Sequence, residues 1–258
     1  MTEFFINMKR SFFEKILFYL SVPKCVGCGE KIDIDDFGLC KNCEEQFRIK
    51  SDRNCSRCSK RLNECSCSPK YLKDNHVSHL FKCFRYIIND ENRPHNNLIF
   101  SLKKDNRSDV VKKLSTLLAD SIQNFGNDIS DFVITNVPRR KISIKKYGLD
   151  HSKELAKNVA RILGLEYKSL LISRSKRQQK TLRGEERIHN AEFELKRKSV
   201  IKGKSIIIID DIVTTGASMG GCAKILRKSG AKKILGACIA IAYKDEYTPP
   251  IKNYIKIF

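Results

Sequence analysis

Apolar and polar positions change their spacing in a regular order from about residue 80 onward. Apolar runs without alternation predict buried strands in HLFKCFRYI, DFVITNVP, EYKSLLIS, SIIIIDD and KKILGACIAIA. Apolar residues at three- and four-residue spacing predict helices in NNLIFSLKK, SDVVKKLSTLLADSIQNF, HSKELAKNVARILG and SMGGCAKILRKSG. Strands that alternate with helices in this way predict an α/β fold, with helices covering both faces of a parallel sheet.

Residues that interrupt or cap regular structure mark several of these boundaries. Gly126 and Gly164 follow two of the helical segments, as is typical of helix ends, and Pro138 ends a strand. Asp150 and Ser152 are alternative N-caps for the helix that begins near them. Because open parallel sheets bind ligands at the carboxyl ends of their strands, we expect the functional residues just after the apolar runs.

The amino-terminal segment mixes apolar and charged residues in a way that predicts an amphipathic helix. A signal sequence is disfavoured because charged residues interrupt the apolar ones. We interpret the helix as packing on the protein, and a membrane-surface helix is the alternative. No later segment has the roughly 18 apolar residues needed to span a bilayer. The apolar face would consist of Phe5, Met8, Phe12, Phe13, Ile16 and Leu20.

Eight of the eleven cysteines lie between residues 25 and 67, in short and regular pairs. Cys-x-x-Cys turns direct two sulfurs at one metal, so this spacing favours two four-thiolate zinc sites over a secreted disulfide scaffold. Sequential pairing is the simplest arrangement, and a crossed pairing stays open. We interpret Cys83, Cys222 and Cys238 as core thiols. The predicted ligands are Cys25, Cys28, Cys40 and Cys43, then Cys55, Cys58, Cys65 and Cys67.

Composition divides the chain into four parts. Residues 1–24 hold the predicted helix, 25–67 the predicted double zinc ribbon, 68–79 a linker and 80–258 the α/β domain. Few residues of the ribbon other than cysteines could form a core. We therefore expect the metals to supply much of its folding free energy.

The most apolar strand runs into an unusual turn, IIIIDDIVTTGAS, at 206–218. Asp210 and Asp211 reach the sheet edge side by side, and adjacent carboxylates need hydroxyl donors or a cation such as Mg²⁺. The next residues offer hydroxyls and backbone N–H groups at a helix N-terminus, which suits a phosphate. We predict a ribose-5-phosphate site, whereas solvated acids on an ordinary turn are the alternative. The phosphate turn comprises Thr214, Thr215, Gly216, Ala217 and Ser218.

The net charge of +21, from 50 Lys and Arg against 29 Asp and Glu, favours an anionic partner. An AT-rich genome, which inflates Lys, Ile and Asn, is the alternative explanation. Basic residues crowd 139–147, 174–187 and 196–204, more than one phosphorylated ligand needs. We therefore expect single-stranded nucleic acid to bind as well, with Tyr147, Phe84 and Tyr86 as candidate stacking surfaces.

The stretch around the acid pair resembles, position for position, the phosphoribosyl pyrophosphate (PRPP) motif of type I phosphoribosyltransferases. VPRRKISIKKYGLDHSKELAKNVARILG, SLKK at 101–104 and QKTLRGEERIHNAEF resemble segments of the ComF/GntX-type competence family. That family also carries an N-terminal double zinc ribbon. The resemblance covers nearly the whole chain and implies a type I phosphoribosyltransferase-like parallel sheet behind the ribbon.

The resemblance also implies roles for individual residues. Asp210 and Asp211 would be the catalytic acids, with Mg²⁺ bridging pyrophosphate and ribose hydroxyls. The loop that begins at Pro138 would hold pyrophosphate, with Arg139, Arg140 and Lys103 as donors. The stretch 174–190 would close over PRPP, and a solvated basic loop is the alternative. Its matching residues include Arg183, Glu186, Arg187 and Asn190.

This chain departs from the family pattern near the pyrophosphate loop. Leu149, Asp150 and His151 stand where the family usually has Phe, Asn and Gln. Arg139 and Arg140 stand where it usually has Leu and His. These differences leave the catalytic detail of the loop open.

Three functional hypotheses follow. The leading one is a cytoplasmic competence protein that binds PRPP and single-stranded DNA and, as the resemblance implies, works with DNA-uptake and helicase machinery. A metabolic phosphoribosyltransferase of nucleobase or amine salvage is the alternative, and a PRPP sensor without turnover is the third. No residue identifies the acceptor that an enzyme of this kind would use.

Overall fold

A computed structural model describes most of the chain from residue 23 to residue 242. The described ranges are 23–33, 36–52, 54–55, 57–62, 64–86, 93–104, 107–126, 128–140, 144, 148–174, 193–196 and 201–242. The predicted amino-terminal helix therefore lies, except for its last two residues, outside the described part. Among the described residues, no helix combines the length and the apolar content that crossing a bilayer requires.

The regular elements alternate as the apolar pattern predicts. The helices are α1 Lys41–Ser51, α2 Lys70–Asp74, α3 Arg93–Lys104, α4 Ser108–Gln123, α5 His151–Leu163 and α6 Ala217–Lys228. The strands are β1 Leu80–Arg85, β2 Phe132–Asn136, β3 Glu166–Tyr167, β4 Leu171–Ser173, β5 Phe193–Leu195, β6 Ser205–Val213 and β7 Lys233–Ile241.

Five strands form one parallel sheet in the order β1-β7-β6-β2-β3. This confirms the α/β fold with a parallel sheet. The strand β6 lies between β7 and β2, so its isoleucines are covered on both faces. Ile206 and Ile208 contact one apolar layer with α2 and α6, whereas Ile207 and Ile209 contact the other with α4 and α5. All four are fully buried, and burial of each side chain contributes about 1.5–3 kcal/mol.

The segment EYKSLLIS was predicted as one strand, and this prediction is wrong. Glu166 and Tyr167 form β3 at the edge of the main sheet, where they pair with β2. Leu171–Ser173 instead pairs antiparallel with β5 in a separate two-stranded sheet. The chain leaves the main sheet at the polar residues Lys168 and Ser169, and the apolar residues that follow enter the second sheet.

The three cysteines outside the ribbon lie in or against the core. Cys222 and Cys238 are fully buried, which agrees with their interpretation as core thiols. Cys83 of β1 is partly exposed and packs against the apolar cluster that includes the buried side chains of α4.

The cysteine-rich region packs directly on the α/β domain. Phe47 of α1 makes edge-on contact with Phe84 of β1 and stacks on His95 of α3, with ring centroids 5.5 Å and 4.3 Å away. Ile32 and Leu39 join the same apolar cluster. The sequence predicts that few ribbon residues other than cysteines could form a core, and in the structure the apolar side chains of Ile32, Leu39 and Phe47 join the core of the α/β domain instead.

That contact also corrects the aromatic stacking prediction. Phe84 is 1% exposed and cannot offer its ring to a nucleotide base. Tyr86 is only half-buried but packs against the same cluster. Tyr147 lies outside the described residues.

The segment 68–79, predicted as a linker, contains the short helix α2. Its Leu72 is fully buried, and the helix packs along α6. A Cβ on Gly216 would lie 2.7 Å from Leu72 Cγ, and a Cβ on Gly220 would lie 2.6 Å from Tyr71 Cδ1. Because Gly216 and Gly220 have no side chain, α2 can pack closely against the turn and helix that follow β6.

Candidate functional site

The acid pair lies at the carboxyl edge of the sheet, where β6 passes β2. Asn136 of β2 is paired with Ile209, and Val137 N–H donates to Ile209 O at 2.9 Å. The chain that follows β2 therefore runs beside Asp210 and Asp211. This register brings Arg139 to the acids although 72 positions separate it from Asp211.

Asp211 is 8% exposed and has two cationic partners. Arg139 Nη2 donates to Asp211 Oδ2 at 2.9 Å, and Lys103 Nζ lies 3.4 Å from the same oxygen. The backbone N–H of Ile212 donates to the other carboxylate oxygen at 2.7 Å. Burial alone would disfavour the charged form, but these two cations hold the pKa of Asp211 well below its usual range. Asp211 is therefore a buried carboxylate whose charge is balanced from α3 and from the loop after β2.

Asp210 lies in a different environment one residue earlier. Its Oδ1 accepts from Ser152 Oγ at 3.0 Å and from the backbone N–H of Asp211 at 2.9 Å. Burial, and then repulsion by the Asp211 carboxylate, raise the pKa of Asp210 to about 8. The two acids thus differ in protonation at neutral pH, as expected for adjacent carboxyls that share a buried site.

The phosphate turn begins directly after β6. Gly216 adopts a left-handed conformation with φ of 78° and is the N-cap residue of α6. Gly220 N–H already donates to Gly216 O at 2.7 Å, and Thr215 Oγ1 accepts from Ala217 N–H at 3.3 Å. Thr214 is exposed and Ser218 is half-buried. The turn sets these hydroxyls and the first N–H groups of α6 beside the acid pair, an arrangement that can bind an anion.

The start of α5 forms the remaining wall of the site. Of the two candidate caps, Asp150 is the N-cap, since its side chain accepts from Lys153 N–H at 3.2 Å. Ser152 instead donates to Asp210, a role that the sequence did not suggest. His151 is 2% exposed, and burial followed by the charge of Arg139 lowers its pKa to about 4. Its ring is therefore neutral at pH 7.

The structure brings together several of the predicted pyrophosphate residues and leaves others undescribed. Arg139 and Lys103 meet at Asp211, while Pro138 and Arg140 lie half-buried on the same loop. The loop residues Arg183, Glu186, Arg187 and Asn190 lie outside the described part of the chain.

The eight ribbon cysteines form two separate clusters in the sequential pairing. Cys25, Cys28, Cys40 and Cys43 form the first, and Cys55, Cys58, Cys65 and Cys67 form the second. In each cluster the four sulfurs lie within 4.8 Å of one another, and Cys28 Sγ is 3.7 Å from Cys40 Sγ. Tetrahedral zinc with Zn–S bonds of about 2.3 Å requires sulfurs about 3.8 Å apart. Both clusters therefore fit a zinc ion.

Neighbouring residues support the clusters. Cys40 N–H donates to Cys25 Sγ at 3.2 Å, and a Cβ on Gly27 would lie 2.7 Å from Cys43 Sγ. Lys82 of β1 is 3% exposed, and its Nζ donates to the carbonyl oxygens of Cys65 and Cys67 at 2.8 Å and 2.6 Å. The sheet thus fixes the backbone of the tight Cys-x-Cys pair through one buried ammonium group.

Comparisons with known proteins agree with this organisation. Residues 149–258 match the phosphoribosyl transferase domain family. The DNA utilization protein YhgH of Escherichia coli K12 is 26% identical over 221 residues, covering 78% of this chain and 96% of YhgH. The ribose-phosphate pyrophosphokinase of Thermococcus kodakarensis is 43% identical over 82 residues, covering 31% of this chain and 25% of the pyrophosphokinase. This chain therefore matches only a quarter of that enzyme's length.

Among solved structures, a hypoxanthine phosphoribosyltransferase from Staphylococcus aureus is similar over 54% of this chain and 69% of its own, with 12% identity and a TM-score of 0.35. The match to YhgH covers more of the chain than the phosphoribosyl transferase domain alone and extends toward the cysteine clusters. The domain, the similarity to YhgH and the two cysteine clusters together support the resemblance to the ComF/GntX-type phosphoribosyltransferase family.

Proposed function

We propose that the protein binds PRPP or a related phosphoribosyl ligand at the carboxyl edge of the sheet. Asp210 and Asp211 would take the ribose hydroxyls, and the turn 214–218 would take the 5′-phosphate. The observation that carries this proposal is the continuity of the acid pair with an anion-binding helix N-terminus in one strand–turn–helix unit. Ribose hydroxyls and a 5′-phosphate are only a few bonds apart, so one ligand can use both groups.

The cations at Asp211 support a place for pyrophosphate in the same site. Arg139 and Lys103 come from two different elements and converge on one carboxylate oxygen. An arriving pyrophosphate would compete for both cations, while the ribose hydroxyls would replace them as donors to Asp211. Binding is then an exchange of partners in which no buried charge is left alone, which keeps its electrostatic cost low.

A magnesium ion fits this site mainly as part of the ligand. The two carboxylates are oxygen donors of the kind that Mg²⁺ prefers. However, Ser152 already contacts Asp210 Oδ1, and Arg139 and Lys103 already contact Asp211 Oδ2. Pyrophosphate oxygens would therefore supply most of the coordination. When bound, the ion would neutralise the leaving pyrophosphate.

We propose that the protein also binds single-stranded DNA. It would act in the cytoplasm together with DNA-uptake and helicase machinery. Support comes from the net charge of +21 and from the similarity to a DNA utilization protein. A phosphate-directed interaction predicts that log affinity falls linearly with log salt concentration. Fluorescence anisotropy with a labelled oligothymidylate tests this, and no measurable binding at low salt would remove DNA from the proposed function.

A comparison of ligands tests the phosphoribosyl part. Calorimetry should rank PRPP above ribose 5-phosphate, because only PRPP presents a pyrophosphate to Arg139 and Lys103. Equal affinities would contradict a pyrophosphate subsite. Release of pyrophosphate with a defined nucleobase or amine acceptor would instead favour the salvage enzyme, and tight binding without release would favour a sensor.

A further inference from the structure

An open cleft of about 460 Å³ lies at the opposite edge of the sheet from the acid pair. Its walls come from the end of the second cysteine cluster, from the segment that joins α2 to β1, and from the last turn of α6. The polar residues that line it are Ser66, Ser68, Lys73, His76, Ser78 and Arg227. None of the lining residues that the structure describes is acidic.

The cleft lies at the amino edge because of how the strands run. Ser78 immediately precedes β1, and its N–H and Oγ both donate to Ile234 O near the start of β7. Arg227 is in the last turn of α6, whose first turn adjoins the acid pair. The helix α6 therefore separates the two sites by its own length, about 18 Å for 12 residues.

Backbone hydrogen bonds hold two of the residues that line the cleft. Arg227 Nη1 donates to Ala231 O at 2.9 Å and to Lys232 O at 2.7 Å, which fixes the guanidinium and leaves its other N–H groups available. His76 adopts a left-handed conformation with φ of 60°, and its N–H donates to Lys73 O at 3.0 Å. Such a conformation in a residue other than glycine costs about 1–2 kcal/mol.

The surroundings of the cleft add positive charge. Lys232 N–H donates to Lys204 O at 2.8 Å, and Gly203 N–H donates to Gly230 O, so the segments 202–204 and 230–233 lie together beside the end of α6. These segments present exposed lysines at 202, 204, 232 and 233. Within the described part of the chain, no ion pair involves Lys73, His76 or Arg227.

We propose that this cleft is a second anion site that binds a phosphate group. The hydroxyls of Ser66 and Ser68, an ammonium, an imidazole and a guanidinium can all donate to phosphate oxygens, and the guanidinium is already oriented. The phosphate can belong to a nucleic acid strand or to a small free phosphate. The proposal does not depend on the acid pair, because the site lies at the other edge of the sheet.

The ring protons of His76 give a local readout in the zinc-loaded full chain, and their loss in His76→Gln assigns them in the NMR spectrum. Inorganic phosphate should shift these signals in a saturable manner. Lys73→Gln should weaken that binding roughly tenfold, the value of one charge-assisted hydrogen bond. Lys70→Gln is the matched control, since Lys70 is an exposed lysine of the same helix that does not line the cleft.

The two sources of phosphate are separated by a second titration with an oligothymidylate. Shifts at lower concentration with the oligonucleotide than with phosphate identify a strand site, and shifts with phosphate alone identify a site for small phosphates. Phosphate bound at the turn 214–218 would leave the His76 signals unmoved. Signals that move with neither probe, or equal effects of Lys73→Gln and Lys70→Gln, would overturn the proposal.

Discussion

Replacing Gly216 with alanine tests whether α2 supports the phosphate turn. Gly216 has φ of 78°, and the added Cβ would lie 2.7 Å from Cγ of the fully buried Leu72. Gly203 is a matched control, because its φ is 75° and nothing lies within 4 Å of an added Cβ. Both substitutions strain the backbone by about 1–2 kcal/mol, and only Gly216→Ala adds an overpacking cost of about 1–3 kcal/mol.

We therefore expect denaturant unfolding to show a loss of about 1–2 kcal/mol for Gly203→Ala and about 2–5 kcal/mol for Gly216→Ala. PRPP affinity should fall only in Gly216→Ala. Adding Leu72→Ala removes the contacting side chain, so the double variant should lose less stability than the sum of the two single variants. Equal losses at Gly203 and Gly216, or simple additivity with Leu72→Ala, would refute the contact.

Three further predictions follow from the site and the clusters. Lys82→Met should remove the ammonium donor to the carbonyl oxygens of Cys65 and Cys67, cost about 1–3 kcal/mol in unfolding free energy and speed zinc release to a chelator. Unchanged release would contradict the supporting role of Lys82. Asp210 is protonated below about pH 8 in the free protein, so PRPP binding that requires its carboxylate should release a proton and strengthen as pH rises toward 8. Calorimetry in buffers of different ionisation enthalpy measures that release, which should vanish in Asp210→Asn. Arg139→Gln should weaken pyrophosphate binding roughly tenfold and Arg140→Gln much less, and equal effects would argue against a specific role of Arg139 in the pyrophosphate subsite.

Much of the α/β domain could be predicted because its strands are buried on both faces. A strand such as β6 shows an unbroken apolar run, and capping residues mark helices such as α5. The segment EYKSLLIS misled because its residue pattern does not show to which sheet each half belongs. The contacts of Phe47 with Phe84 and His95 could not be predicted from local periodicity either, since they join segments far apart in the chain.

In the candidate site, too, local features could be predicted from the sequence and contacts between distant segments could not. Asp210, Asp211 and the phosphate turn are contiguous, so their chemistry could be recognised from sequence. The hydrogen bond from Ser152 to Asp210 and the ion pair of Arg139 with Asp211 bridge 58 and 72 positions. Both depend on β2 lying beside β6, and strand order is not encoded in any local pattern. Lys103 was reached only through family resemblance, for the same reason.

The most direct test of the account is the PRPP affinity of Asp210→Asn and Asp211→Asn, measured by calorimetry. Asp131→Asn is the control, because Asp131 is exposed and precedes β2 at the other edge of the sheet. Each acid-pair substitution removes an acceptor of ribose hydroxyls that would be charged in the PRPP complex, and it should weaken PRPP binding roughly 10- to 100-fold, with no change in Asp131→Asn. Affinity for PRPP that is the same in all four proteins would contradict the assignment of the acid pair to the ribose.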